Sequence, residues 1–148
     1  MSKGLSKSSV GRKILMALSG VFLMFFLLQH LVINALSLVS AELFNSASHF
    51  MGTNPLVQFV LQPILLFGVL FHLFMGIYLD IKNRKARPTK YYVNSPSNNS
   101  NWVSRNMIYT GLTIMLFLCL HFYDFWIPEI KEKFIKGNWD DPNRYFQH

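Results

Sequence analysis

The chain has 148 residues, of which 51% are hydrophobic and 14% are charged, whereas a typical soluble domain has about 25% charged residues. Its fourteen Lys and Arg residues outnumber its seven Asp and Glu residues, so the net charge is +7. This composition excludes a disordered chain and an ordinary soluble domain. No nucleic-acid module motif accompanies the positive charge, so we predict no nucleic-acid partner, and the positions of the basic residues must explain it.

The first predicted element is a membrane-spanning helix over about residues 14–39. Ile14 to Val39 contain no Asp, Glu, Lys or Arg, and about 20 apolar residues are enough to cross the hydrocarbon core. The preceding basic residues resemble the start of a signal peptide (Lys3, Lys7, Arg12 and Lys13). However, the apolar run is longer than the roughly 7–15 residues of a signal-peptide core, and we therefore predict an uncleaved first helix.

Two further apolar runs predict two more spans, over about residues 56–81 and 105–127. Leu56 to Leu79 contain no charged residue, and the run from Met107 reaches Ile127 with Asp124 as its only charge. The predicted fold is an all-α integral membrane helical bundle with three transmembrane helices, forming one domain over residues 1–148. Residues 88–101, rich in Ser, Asn and Pro, read as a polar loop, and residues 128–148 read as a polar tail.

The basic residues predict the orientation of these helices. Four precede the first span and six lie between the second and third spans (Lys82, Arg84, Lys85, Arg87, Lys90 and Arg105), so ten of the fourteen fall on one side. Positive residues concentrate on the cytoplasmic side of membrane proteins. We therefore predict a protein embedded in membrane lipid with its N-terminus on the cytoplasmic side, and the positive charge then needs no nucleic-acid partner.

Each predicted span contains one histidine: His30, His72 and His121. Ionisable residues within a bilayer are rare and indicate a functional site by default. Structural hydrogen bonding between helices and proton relay are both alternatives, although relays usually include an acid. Haem ligation needs only a neutral imidazole and an apolar slot. Cys119 is the single cysteine, so the chain can form no internal disulfide, and without a Cys-x-x-Cys-His motif any haem would be held without thioether bonds.

The depths of the histidines suggest which two could share a haem. A helix rises about 1.5 Å per residue, which places His30 roughly 25 Å, His121 roughly 22 Å and His72 roughly 15 Å from the cytoplasmic face. His30 and His121 therefore match in depth, and His72 has no partner at its level in this chain. The face of Gly68, His72 and Gly76 leaves room for either a flat macrocycle or a close helix.

The same helical spacing groups other residues with the two outer histidines. Phe26 and Asn34 share the face of His30, with Ser19 close to the same angular position three turns earlier, and Phe117 aligns with His121. These faces do not distinguish a haem pocket from coincidence in a chain with fourteen Phe residues.

Three stretches of the sequence resemble the cytochrome b membrane subunit of succinate dehydrogenase and fumarate reductase. They are Ser8–Asn34, Ser48–Pro88 and Leu118–Trp126, and the runs HFMGTNPLVQF and IKNRKARP within the second are the most specific. The resemblance covers essentially the whole chain. It looks like the single-subunit, dihaem form found with menaquinone-linked enzymes, particularly in Bacteroidetes-like bacteria.

The resemblance implies ligands for the haem iron. In that family, helices one and three hold the distal haem, to which His30 and His121 correspond, and His72 corresponds to the second-helix ligand of the proximal haem. The family has five helices, and the partner of the second-helix ligand lies on the fourth. This sequence ends after three helices, and His148 lies in the polar tail. It therefore looks like an N-terminal part of the family fold with an incomplete proximal pocket.

The resemblance also implies a function and partners. The expected role is a haem b-binding anchor of succinate dehydrogenase that passes electrons from the flavoprotein and iron–sulfur subunits to menaquinone, with one or two haems. Ser9, Arg12, Lys82 and Trp102 match positions near the proximal propionates, although ordinary interfacial anchoring explains them as well. A fumarate reductase subunit, and a haem-free scaffold or transporter component with structural histidines, remain alternatives. No quinone-site residue is assigned, because Glu42, Asn45 and His49 do not align cleanly with the family's acidic residue.

Overall fold

The computed structural model describes residues 8–86, 100–139, 141 and 145, and within these ranges the chain is helical and contains no strand. The helices are α1 (Ser9–Ala35), followed by a 3-10 turn (Leu36–Leu38), α2 (Ala41–Thr53), α3 (Val57–Lys85) and α4 (Met107–Ile135), with a short helical turn (Trp102–Arg105) before α4. Lys3, Lys7, Arg87, Lys90, His148 and residues 88–99 of the predicted loop lie outside the described residues.

The three predicted spans are confirmed. Ser9–Leu38, Val57–Lys85 and Met107–Ile135 are long enough and apolar enough to cross a membrane. Large apolar side chains are exposed along all of them, and none of the large apolar side chains of the described residues is buried. A soluble protein could not expose such a surface. Lipid would cover it, while the helices satisfy their own backbone hydrogen bonds.

Serine and asparagine side chains set where the helices begin. Ser8 Oγ accepts a hydrogen bond from Gly11 N at 2.8 Å, so α1 begins before the apolar run that starts at Ile14. Asn54 Oδ1 accepts from Leu56 N at 3.0 Å at the start of α3. Such N-caps satisfy backbone N–H groups that have no partner within the helix. The apolar run therefore predicts which residues cross the hydrocarbon core, and the N-cap determines the residue at which the helix begins.

Helix α2 is absent from the sequence-based prediction, because it lies in the connection between the first two spans and is too short to cross a membrane. Ser40 caps its first turn, and Glu42 in that turn carries the negative charge that a helix N-terminus favours. The helix ends at Thr53, two residues before Pro55. A residue before proline is pushed out of the helical conformation, which explains the extended backbone of Asn54.

Two prolines inside the spans are each preceded by a π-helical turn. The turn Val57–Leu61 precedes Pro63, and the turn Phe122–Trp126 precedes Pro128. In both, the residue just before proline donates its N–H to the carbonyl five residues earlier. A proline ring clashes with the carbonyl four residues before it in a regular α-helix. The wider π turn relieves this clash, and the helix continues through the proline.

The third span is longer than the predicted range, which ended at Ile127. Helix α4 passes Pro128 and continues to Ile135, so the first part of the predicted polar tail is helical. Gly137, with φ of 71°, ends the helix, and Asn138 N donates to Glu132 O at 3.0 Å. A left-handed glycine with this type of backbone bond is a common helix terminator.

The chain divides into two compact units. One contains Met1–His72 together with Ile130–His148, and the other contains Leu73–Glu129. His30 and His72 belong to the first unit, whereas His121 belongs to the second. The first unit also contains the buried polar residues Asn45, Gln58 and Lys133.

Candidate functional site

His72 lies on α3 beside α1, and a serine side chain holds one of its ring nitrogens. Ser19 Oγ is 2.9 Å from His72 Nδ1 and 2.8 Å from the carbonyl oxygen of Met16 on its own helix. Among the described residues, the His72 ring makes its hydrogen bond with Ser19 through Nδ1. The other ring nitrogen, Nε2, has no hydrogen-bond partner among these residues. The imidazole is therefore held through Nδ1.

Glycine residues allow α1 and α3 to approach closely around His72. A Cβ atom added to Gly20 would lie 3.2 Å from His72 Cε1, and one added to Gly68 would lie 2.8 Å from Phe22 Cε1. Of the two interpretations of the glycine–histidine face, Gly68 therefore supports close helix packing, because a phenylalanine ring fills the space above it. At Gly20, the absence of a side chain instead leaves space for the His72 ring to lie against α1.

His30 stacks on the phenylalanine one turn before it in α1. The Phe26 and His30 ring centroids are 5.5 Å apart with an interplanar angle of 23°. The backbone carbonyl of His30 accepts a hydrogen bond from Asn34 Nδ2 at 2.8 Å. The face predicted for Phe26, His30 and Asn34 therefore exists, but Ser19, which helical spacing places near the same face, bonds to His72.

His121 lies among phenylalanine rings of α4. It stacks on Phe117 with the centroids 5.8 Å apart, and its ring centroid lies 5.2 Å from that of Phe125 and 6.3 Å from that of Phe122. The predicted alignment of Phe117 with His121 is therefore present as a ring contact. His30 and His121 fall in different compact units, and their joint ligation of one haem stays a prediction.

The four residues predicted near the proximal propionates also stay a prediction. Ser9 is exposed and Arg12 is partly buried at the start of α1. Lys82 lies with its Nζ 5.8 Å from the centre of the Tyr78 ring, and Trp102 is 65% exposed. The Lys82–Tyr78 contact is the kind that an interfacial anchor makes. These positions agree both with contacts to the propionates and with ordinary interfacial anchoring.

A buried lysine is the main polar feature that sequence reasoning missed. Lys133 is 2% exposed, and its Nζ donates to Gly52 O at 2.6 Å and to Gln58 Oε1 at 3.2 Å. Gly52 lies in the last turn of α2, whose carbonyl groups favour a cation. Lys133 falls within the predicted polar tail, and the helix-ending Gly137 was the signal in the sequence that the third helix reaches it.

Aromatic and amide groups of the first compact unit make further contacts in this region. Its Nζ lies 5.7 Å from the centre of the Trp139 ring. Gln58 Nε2 donates to Gln62 Oε1 at 2.8 Å. On α2, His49 contacts the ring of Tyr145, with the centroids 6.3 Å apart. The hydrogen bonds of Lys133 join the end of α4 to α2 and to the start of α3 within the first compact unit.

Among the described residues, no group of three or more His, Cys, Asp or Glu side chains is placed to hold a metal ion by itself. A haem requires fewer protein ligands, because the macrocycle supplies four nitrogen atoms and the protein supplies only the axial groups. The histidines of the spans are therefore the side chains to consider for an axial role.

The comparisons with known proteins identify the family. The family model described as succinate dehydrogenase/fumarate reductase transmembrane subunit matches residues 5–87. The chain belongs to this family. The succinate dehydrogenase cytochrome b558 subunit of Bacillus subtilis is 31% identical over 100 residues, which are 67% of this chain and 46% of the relative's length. No solved structure matches.

Membership in the succinate dehydrogenase/fumarate reductase family confirms the resemblance seen in the sequence, and the three spans make this chain a multi-pass membrane protein. The residues matched by the family model include His30, His72 and the contacts of Ser19. His121 lies beyond them. The chain spans less than half the length of the Bacillus subtilis relative.

Proposed function

We propose that this chain is the haem b-binding membrane anchor of a succinate dehydrogenase, which passes electrons between an iron–sulfur subunit and menaquinone. The observation that carries the proposal is the state of His72, which is held at Nδ1 by Ser19 and keeps Nε2 without a hydrogen-bond partner among the described residues. The family membership and the name of the Bacillus subtilis relative support the same function.

The chemistry of the side chains fits a haem. Haem b in a membrane is held by neutral imidazole, and the spans offer His30, His72 and His121 with apolar neighbours. Because position 20 is a glycine, no side chain of that residue separates the His72 ring from the backbone of α1. The phenylalanine rings that contact His30 and His121 would exclude water from the edge of a macrocycle.

The imidazoles of the three histidines would hold haem iron. His30 and His121 would hold the haem farther from the cytoplasm, as their similar depths along the helices suggest. His72 would hold a second haem nearer the cytoplasm. A bound haem would supply one-electron transfer through its iron, and the chain's own side chains would orient it and keep it in an apolar setting.

The chain needs soluble partners for succinate chemistry. It contains one cysteine, Cys119, which is too few to hold an iron–sulfur cluster. The electrons would therefore come from a flavoprotein subunit through an iron–sulfur subunit. Ten basic residues flank the spans on the side that the positive-inside rule assigns to the cytoplasm, so this side of the bacterial inner membrane would receive the two soluble subunits.

Difference spectra of the membrane complex would test the proposal. The complex would be purified with this subunit unchanged or carrying His30→Ala, His72→Ala or His121→Ala, and reduced-minus-oxidised spectra would be recorded. We expect b-type bands that decrease in each variant, and His30→Ala and His121→Ala should remove the same component. His49→Ala, a histidine outside the proposed ligands, is the control and should keep every band.

Two outcomes would contradict the proposal. An assembled complex without b-type bands would favour a haem-free scaffold with structural histidines. Bands that persist in all three variants would place the haem ligands elsewhere. A separate measurement addresses the alternative of a fumarate reductase. Rates of succinate oxidation and fumarate reduction with menaquinone analogues would distinguish it from a succinate dehydrogenase.

A further inference from the structure

The hydroxyl group of Ser19 has two partners but only one proton to donate. Ser19 Oγ lies 2.8 Å from Met16 O and 2.9 Å from His72 Nδ1. A carbonyl oxygen can only accept a hydrogen bond, whereas a ring nitrogen can donate or accept. If the hydroxyl donated to Nδ1, two oxygen atoms would face each other at 2.8 Å without a proton between them. The arrangement that satisfies both contacts has Ser19 donating to Met16 O and accepting from His72 Nδ1–H.

This arrangement selects one tautomer of His72. A neutral imidazole carries one proton, so a proton on Nδ1 leaves Nε2 with its lone pair. The lone pair is what a metal ion binds. The same hydrogen bond fixes the rotation of the ring, and Gly20 on α1 lets the ring lie against that helix, because an added Cβ would come within 3.2 Å of Cε1.

A second serine of the same span shows that the local bond alone does not create this contact. Ser37 Oγ donates to Asn34 O at 2.6 Å, which is the same three-residue spacing as Ser19 to Met16. Neither serine needs a histidine to satisfy its own proton. Only Ser19 of these two also accepts a hydrogen bond from an imidazole on another helix.

We propose that Ser19 is a positioning residue for the haem that His72 would bind, holding the imidazole as the Nδ1–H tautomer with Nε2 directed to the iron. This inference rests on the proposed haem-binding function. An acceptor at Nδ1–H makes a ligating imidazole more basic. A more basic ligand favours ferric over ferrous iron, so Ser19 lowers the midpoint potential of this haem.

The potentials of the individual haems test this role, because a merely structural serine would leave them unchanged. Redox titrations and low-temperature EPR of the ferric haems would be recorded on the assembled complex carrying Ser19→Ala, Ser19→Thr, Ser19→Val or Ser37→Ala. The haem of His72 is the component that His72→Ala removes. We expect Ser19→Ala to raise the midpoint potential of that component alone, where each tenfold change in the ferric-to-ferrous preference is about 59 mV.

The remaining variants separate the hydroxyl from the shape of the side chain. Thr and Val are similar in size, and Thr keeps the hydroxyl that Val lacks. Ser19→Thr should keep the midpoint potential that this haem has in the unchanged protein. Ser19→Val should raise the midpoint potential as Ser19→Ala does, and Ser37→Ala should not change it. If Ser19→Ala fails to assemble, the difference between the Thr and Val variants decides the role of the hydroxyl.

The failure of this inference differs from the failure of the proposed function. A complex in which His72→Ala removes a haem, but in which Ser19→Ala and Ser19→Val keep the midpoint potential and EPR signal of the unchanged protein, would overturn the role of Ser19 and leave haem binding intact. A complex without any b-type haem would overturn both.

Discussion

His72 and His121, which belong to different compact units, have different surroundings. In the unit formed by Met1–His72 and Ile130–His148, His72 is hydrogen-bonded to the hydroxyl of Ser19, and the unit contains the buried polar residues Asn45, Gln58 and Lys133. In the unit formed by Leu73–Glu129, His121 lies among three phenylalanine rings. Ring contacts limit the plane of an imidazole, but a hydrogen bond also determines which nitrogen carries the proton.

Removal of either histidine should give the largest effect and should distinguish the two units. We expect His72→Ala and His121→Ala each to abolish one haem component, and the components lost should differ. Pyridine haemochrome stoichiometry and redox titration of the assembled complex would measure this. Loss of the same component in both variants would show that His72 and His121 ligate one haem, contrary to the assignment by depth.

The buried lysine tests how far polar contacts stabilise the first unit. Lys133→Met should lower the free energy of unfolding by about 1.5–3 kcal/mol, since hydrogen bonds from a charged group to Gly52 O and Gln58 Oε1 are lost. Thermal unfolding in detergent would measure the change. Lys131→Met is the control, because Lys131 is exposed on the same helix, and equal effects of the two substitutions would contradict the prediction.

Glycine substitutions compare the close packing near His72 with the open surface of α4. In Gly68→Ala the new Cβ would lie 2.8 Å from Phe22 Cε1, and we expect a destabilisation of about 1–3 kcal/mol. Gly111 has no atom within 4 Å of an added Cβ, so Gly111→Ala should instead stabilise its helix by roughly 0.5–1 kcal/mol. Melting temperatures of the two variants should move in opposite directions.

The smallest effect is expected from the ring nearest to His121. Phe125→Leu removes an aromatic contact at 5.2 Å, which is worth about 0.5–1.5 kcal/mol, and it should broaden or shift the EPR signal of the haem that His121 would ligate. The signal of the His72 haem should stay unchanged. Phe25→Leu, at an exposed position of α1, serves as the control, and a similar change there would show that the ring contacts do not orient His121.

The three spans and their histidines could be predicted from the sequence, because an apolar run of this length without charged residues is typical of a membrane-crossing helix. Helix α2, whose length is below that of a span, and the continuation of α4 beyond Pro128 could not. A proline usually ends a helix, and the π turn that allows it to continue depends on small changes in backbone geometry rather than on a residue pattern.

The contact of Ser19 could not be predicted from periodicity. Helical spacing places Ser19 near the face of His30, but it relates only residues of the same helix, here α1. Which neighbouring helix lies opposite Ser19 depends on the packing of α1 against α3, which small residues such as Gly20 and Gly68 permit. The candidate ligands were therefore visible in the sequence, whereas the group that orients one of them required the structure.

The position of Lys133 has a consequence for the order in which the protein assembles. Its amine contacts a carbonyl and an amide that precede it by 81 and 75 residues. During synthesis, Gly52 and Gln58 leave the ribosome before Lys133, so the first two spans are made before the amine that contacts them. The contacts of Lys133 can therefore form only after the third span has been synthesised.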